Sequence, residues 1–96
     1  LPFSMVENMA VATPAKVLST QRKEFGKGKV RLTILQEDKE ISMGRIRRYN
    51  QYRHVLLLRN KDLIHVVTVS ARENYLKEQE SKLKDVERIL NSFEVK

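Results

Sequence analysis

Ninety-six residues, 41% hydrophobic and 32% charged, with three glycines and two prolines, suit one small folded domain and exclude long disordered linkers. The absence of cysteine excludes disulfides and thiolate metal sites, and no apolar run nears the ~20 residues a membrane-spanning helix needs. The net charge of +7 is uneven: Lys16 to Lys61 hold thirteen basic and four acidic residues, whereas 72–96 hold six of each, so the positive field sits on the middle of the chain.

The first segment, "LPFSMVENMAVAT", reads as a short helix. Pro2 suits a first helical turn, and Phe3, Val6, Met9 and Ala10 recur at helical spacing. Thr13-Pro14 ends it, because a residue before proline avoids the helical region. Residues 1–12 contain Glu7 and lack the basic start of a signal peptide. With no initiator methionine, the chain is expected to be a processed or partial product.

"AKVLSTQRKEF" (15–25) reads as a weak strand and "GKG" (26–28) as a hairpin turn. "KVRLTILQ" (29–36) is the clearest strand. Val30, Leu32 and Ile34 alternate with Lys29, Arg31 and Thr33, which places the first set on a core and the second toward water. "EDKE" (37–40) reads as a polar loop. "ISMGRIRRY" (41–49) reads as another strand with a bulge at Gly44, and 49–52 as a connection.

"RHVLLLRN" and "LIHVVTVSA" are apolar on both faces, which fits strands in the middle of a sheet. Asn60-Lys61-Asp62 joins them as a hairpin loop. Ser70-Ala71-Arg72-Glu73 has the form of a capping box for a long last helix. On that helix Leu76, Leu83, Val86, Leu90 and Phe93 form one apolar stripe, expected to lie on the sheet. Glu73–Lys77, Glu78–Lys82 and Glu80–Lys84 stand at ion-pairing spacing on the solvent side.

No catalytic constellation emerges. No serine sits in a nucleophile elbow, and "FGKGKV" runs into a strand without the end of a phosphate loop. His65, mid-strand in "LIHVVTV", reads as a neutral core residue. His54 opens the preceding strand, and a metal site on the two would need a third ligand, which neither Asp62 nor Glu73 supplies at the right spacing. No cofactor and no metal are expected.

What remains is "GRIRRYNQYRH" (44–54), in which Arg45, Arg47, Arg48 and Arg53 surround Tyr49 and Tyr52. Three readings stay open. The run can neutralise phosphate while its tyrosines stack on RNA bases, it can dock on an acidic protein, or it can be plain solvated surface. Two sheet-binding aromatics at ribonucleoprotein spacing and a GxxG loop are both missing.

The order of helix, strand, glycine turn, strand, two apolar strands and long helix ending in "NSFEV" carries a resemblance. Residues 53–96 resemble the C-terminal half of the PsbP family, extrinsic thylakoid-lumen proteins of photosystem II and their paralogues. The counterparts are Arg53-His54, the Asn60–Asp62 turn, the strand from Leu63, the helix from Arg72, and Ser92-Phe93. "KVLSTQRKEFGKGKVRLTIL" is similar to the family's preceding hairpin. The chain lacks counterparts of the family's first strands and of its Gly-Lys-Leu-Tyr turn, and Tyr75 stands where tryptophan often opens the helix. A similar sandwich occurs in a Ran-binding import factor and in bacterial exported proteins.

The resemblance implies a non-enzymatic accessory subunit in the chloroplast thylakoid lumen, peripheral to the membrane and bound to protein subunits of a large photosynthetic complex. RNA or ribosome binding is the alternative, and a small-GTPase-binding or bacterial exported protein of the same fold is a further one. The expected architecture is a single, partial α+β domain: an antiparallel sheet with the C-terminal helix on one face and the N-terminal helix beside an edge. One layer short, it should expose apolar surface on the second face of 55–58 and 63–69. The expected docking face comprises Arg45, Arg47, Arg48 and Arg53, with Tyr49 and Tyr52 as aromatic anchors and Lys27 and Lys29 extending the patch.

Overall fold

The computed structural model describes residues 2–92, apart from the side chains of Leu76, Leu90 and Ser92. The chain runs α1 (Phe3–Val11), β1 (Lys16–Gly26), β2 (Lys29–Ser42), β3 (Arg45–Asn60), β4 (Leu63–Arg72), a 3-10 turn (Glu73–Tyr75) and α2 (Leu76–Ser92). It is an α+β arrangement in which four strands pair antiparallel in sequence order. Two-residue turns at Lys27-Gly28, Met43-Gly44 and Lys61-Asp62 join them, each with left-handed backbone: φ is 67° at Gly28, 52° and 72° at Met43 and Gly44, and 56° at Lys61. Positive φ at both residues, as at Met43-Gly44, or at the first, as at Lys61-Asp62, matches the twist of the connected strands, whereas at Lys27-Gly28 only the second residue is left-handed and the ladder beside it shifts register between Glu24 and Gly26.

The alternation of β2 divides the sheet into two faces. On one, Val30, Leu32 and Ile34 meet Val55 and Leu57 of β3, and Phe3, Val6, Ala10 and Val11 of α1 pack on them with Ile64. Burying side chains of this size stabilises by about 1.5–3 kcal/mol each. α1 therefore covers a sheet face instead of lying beside an edge. It supplies the layer expected to be missing, so Val55, Leu56 and Leu57 are all buried, whereas β4 keeps Leu63, Val66 and Val67 exposed.

α2 covers the opposite face, the one expected to meet water. Gln79, Leu83, Glu87 and Asn91 follow one another at intervals of four and form the line that faces the sheet. Leu83 is buried and Val86 half-buried; the other stripe side chains, Leu76, Leu90 and Phe93, lie outside the described residues. Beneath the helix, Arg31 Nη1 stands 2.9 Å from Glu87 Oε1, close as an ion pair but not aligned as a hydrogen bond. Lys23 Nζ donates to Glu87 Oε2 at 3.3 Å and Lys29 Nζ to Asn91 Oδ1 at 3.3 Å, while Asn91 Nδ2 donates to the Phe25 carbonyl at 2.7 Å. A line of polar residues on α2 thus turns an apparently solvated set of basic side chains into an interface.

Several local expectations are corrected. Residues 37–40 are strand, because β2 runs unbroken to Ser42, and 49–52 lie inside β3. The bulge at Gly44 is a hairpin turn. Ser70 pairs with Arg53 within β4, so the capping box does not form, and the helix begins only after the 3-10 turn. Among the described residues the ion pair within α2 is Asp85–Arg88 at 3.0 Å, in place of the three expected. His65 is exposed and His54 is the buried histidine.

Candidate docking arm

β1 pairs with β2 only as far as Glu37, and β4 pairs with β3 only as far as Gln51. Residues 38–50 therefore continue as a two-stranded ribbon without lateral neighbours. Five residues of β2 and six of β3 extend it about 16 Å past the four-stranded body, and the molecule measures 52 × 28 × 20 Å. The ribbon closes at Met43-Gly44, where positive φ at both residues gives the tight hairpin geometry. Met43 pays the steric cost of a left-handed conformation and is fully exposed at the tip.

Register decides what each side of the ribbon shows. Lys39 faces Arg48 and Ile41 faces Ile46, so these four share one side. Asp38 faces Tyr49, Glu40 faces Arg47 and Ser42 faces Arg45, and these form the other. Ile41 and Ile46 are 79% and 66% exposed, an unusual apolar pair for a ribbon surrounded by water. The outer eight residues, 41–48, hold three arginines and no carboxylate. Arg45 and Arg47 have no side-chain partner among the described residues, and Arg48 Nη1 makes only a long contact, 3.8 Å, with Glu37 Oε1.

The other expected docking residues lie elsewhere. Tyr49 sits at the base of the arm under the Arg72 guanidinium, 4.4 Å from its ring centre, and Arg72 Nη2 also donates to Glu40 Oε2 at 2.8 Å. Tyr52 is half-buried and stacked beside His54, ring centres 6.0 Å apart. Arg53 is half-buried; its Nη1 donates to the Ala10 carbonyl at 2.6 Å and its Nε to Gln36 Oε1 at 3.0 Å, so it caps the C-terminal end of α1. Lys27 is exposed in the first turn and Lys29 is buried under α2, and thirteen residues of strand, about 43 Å, separate Lys29 from Ser42. The structure thus gathers Arg45, Arg47 and Arg48, and adds Lys39, Ile41, Met43 and Ile46, which the expected docking face did not include. The signal for them was "SMGR", a glycine dipeptide flanked by alternating residues, which is a hairpin pattern.

His54 belongs to the packing of α2. Its Nε2 lies 3.0 Å from Gln79 Oε1 and its Nδ1 3.2 Å from Thr33 Oγ1; the amide oxygen can only accept, so Nε2–H donates to it, and in the neutral ring Nδ1 accepts from the hydroxyl. Burial pushes its pKa below the usual histidine value, the nearby Arg31 charge adds to this, and the Gln79 hydrogen bond opposes it. His65 sits four residues along β4 from Val69, the partner of His54, and among the described residues no three His, Asp or Glu side chains converge as metal ligands.

Comparison with family models, with curated proteins and with solved structures returns no match for this chain.

Proposed function

We propose that this chain is a non-enzymatic docking subunit that attaches to a large membrane-bound assembly through the β2–β3 arm. The resemblance of residues 53–96 to the PsbP family supports a photosynthetic assembly in the thylakoid lumen, photosystem II or a related complex, and a PsbP-like origin for the half-domain. The observation that carries the docking reading is the arm itself: an apolar tip of Ile41, Met43 and Ile46, with Arg48 on the side of the isoleucine pair and Arg45 and Arg47 on the reverse side, extending past the four-stranded body.

The chemistry of the tip defines the partner. Surface ion pairs stabilise by roughly 0–1 kcal/mol each, so three arginines steer the encounter and set orientation more than they hold the complex. The isoleucine pair and Met43 supply an apolar centre with Arg48 at its side, while Arg45 and Arg47 charge the reverse side of the same tip. The partner surface is therefore acidic with an apolar notch. The RNA alternative would use open aromatic faces, but the Tyr49 ring is covered by Arg72 and Tyr52 lies half-buried against His54.

Rebinding to salt-washed thylakoid membranes tests this. The wild-type chain should be released by raised salt and should rebind when salt is lowered. The triple variant Arg45→Glu/Arg47→Glu/Arg48→Glu and the single variant Met43→Asp should each fail to rebind while keeping the wild-type melting transition. Equal rebinding of all three proteins would refute arm docking. A gel shift with single-stranded RNA at low salt, lost in the triple variant, would transfer the arm to the RNA reading.

A further inference from the structure

The two edges of the sheet are built differently. β1, at one edge, carries Lys16, Arg22, Lys23 and Glu24 and has register shifts between Val17 and Ser19 and between Glu24 and Gly26. Charges and bulges of this kind stop an edge from pairing with another strand. β4, at the other edge, has no register shift and carries a single charge, Arg72, at its last position. Leu63 to Ala71 contain no Asp, Glu, Lys, Arg, Pro or Gly, the pairing with β3 is unbroken, and Leu63, Val66 and Val67 are exposed.

The direction of the free backbone groups follows from the register. Arg59 N–H donates to the Gly28 carbonyl at 2.8 Å, so Arg59 and every second residue of β3 before it bond toward β2. The intervening residues Leu58, Leu56 and His54 bond toward β4, to His65, Val67 and Val69. Ile64, Val66, Thr68 and Ser70 consequently direct their N–H and C=O groups away from the sheet.

We propose that β4 pairs antiparallel with β4 of a second copy of this chain, about a two-fold axis at Val67. A partner strand can bond only where outward groups meet outward groups. Of the registers that meet this condition, one lays residues 63–71 wholly on their own copies: Ile64 faces Ser70, Val66 faces Thr68, and Val67 faces Val67 of the second copy. Charge favours that same register. It brings Lys61 and Asp62, in the turn before the strand, beside Glu73 and Arg72 of the second copy, opposite signs in both cases and at both ends of the pair. All four residues are exposed. Two four-stranded sheets then join into one continuous sheet, and the uncharged edge places no like charges against each other despite the net charge of +7. The pairing does not depend on what the arm binds.

Sedimentation of the purified chain across micromolar to millimolar concentration tests the association, and single cysteines test the register. The mass should rise from 11.3 kDa toward twice that value. Thr68→Pro removes one outward N–H per copy and leaves the bonds to β3 intact, and should weaken association by roughly ten- to a hundredfold. Lys61→Glu should weaken it, and Lys61→Glu/Glu73→Lys should restore it. Since the chain has no cysteine, Val67→Cys introduces a lone thiol that meets its own copy in a close non-hydrogen-bonded pair, at a Cα separation of about 4.5 Å. It should form disulfide dimers faster than Val66→Cys or Thr68→Cys under the same mild oxidation. A chain that stays monomeric at every concentration, a dimer indifferent to Thr68→Pro, a dimer lost instead through Met43→Asp, or equal cross-linking at the three positions would each overturn the proposal.

Discussion

Glu87 is the test of how α2 is held. Its carboxylate is 9% exposed and stands between Arg31, 16% exposed, and Lys23, 54% exposed. Glu87→Gln keeps the shape and removes the charge, leaving the Arg31 guanidinium uncompensated between sheet and helix, where its Nε already has no partner. Breaking a fully buried pair costs about 3–5 kcal/mol, whereas the exposed Lys23 contact contributes at most about 1 kcal/mol. Because Arg31 keeps some access to water, the expected loss is about 2–4 kcal/mol, out of roughly 5–14 kcal/mol for a chain of this length. With a urea slope of about 1–1.5 kcal/mol per M, the unfolding midpoint should fall by roughly 2 M at unchanged slope. Arg31→Met/Glu87→Leu should recover most of this, since both desolvated charges leave together. Asp85→Asn, in an exposed pair with Arg88, should barely move the midpoint. A Glu87→Gln midpoint within about 0.3 M of wild type would refute the ionic account of helix docking.

Two further outcomes follow from the same geometry. The folded pKa of His54 lies below its ordinary 6.5, so below that pH the unfolded chain binds the extra proton; stability should be constant above about pH 7 and fall as pH drops through 6.5 toward the folded value, at no more than about 1.4 kcal/mol per pH unit. Urea midpoints measured from about pH 8 to about pH 5 should show this decline, and His54→Gln should flatten it. Met43→Asn places Asn-Gly in the left-handed turn and should stabilise it by roughly 0.5–1 kcal/mol, seen as slower amide exchange along residues 38–50; unchanged exchange would mean that the turn carries no strain.

The candidate site was half legible. Arg45, Arg47 and Arg48 stood out because arginines in alternation with apolar residues are visible at any position in a chain. Arg53 looked equivalent to them, yet it caps α1, forty-three residues earlier. Lys27 and Lys29 looked continuous with the patch, yet a strand's length separates them from it. The arm was split into a loop, a strand and a connection because "EDKE" lacks the apolar alternation by which strands are recognised. Across the ribbon it faces Asn50, Tyr49, Arg48 and Arg47, and a polar strand paired with a largely polar strand leaves no hydrophobic trace.

The amino-acid order alone determined the two helices around an antiparallel sheet, the turns at Lys27-Gly28 and Lys61-Asp62, the inward-facing set Val30, Leu32 and Ile34, and the concentration of positive charge in the middle of the chain. These depend on neighbours a few residues apart, through backbone sterics and side-chain periodicity. Only the tertiary structure decided which helix covers which face of the sheet. A period of two says that a strand has two sides, but not what arrives to cover them. Lys29 and Arg31 read as solvated until Asn91 and Glu87, more than fifty residues further on, are laid across them, because the free energy of a charge depends on where its counterion ends up in space and not on its place in the chain.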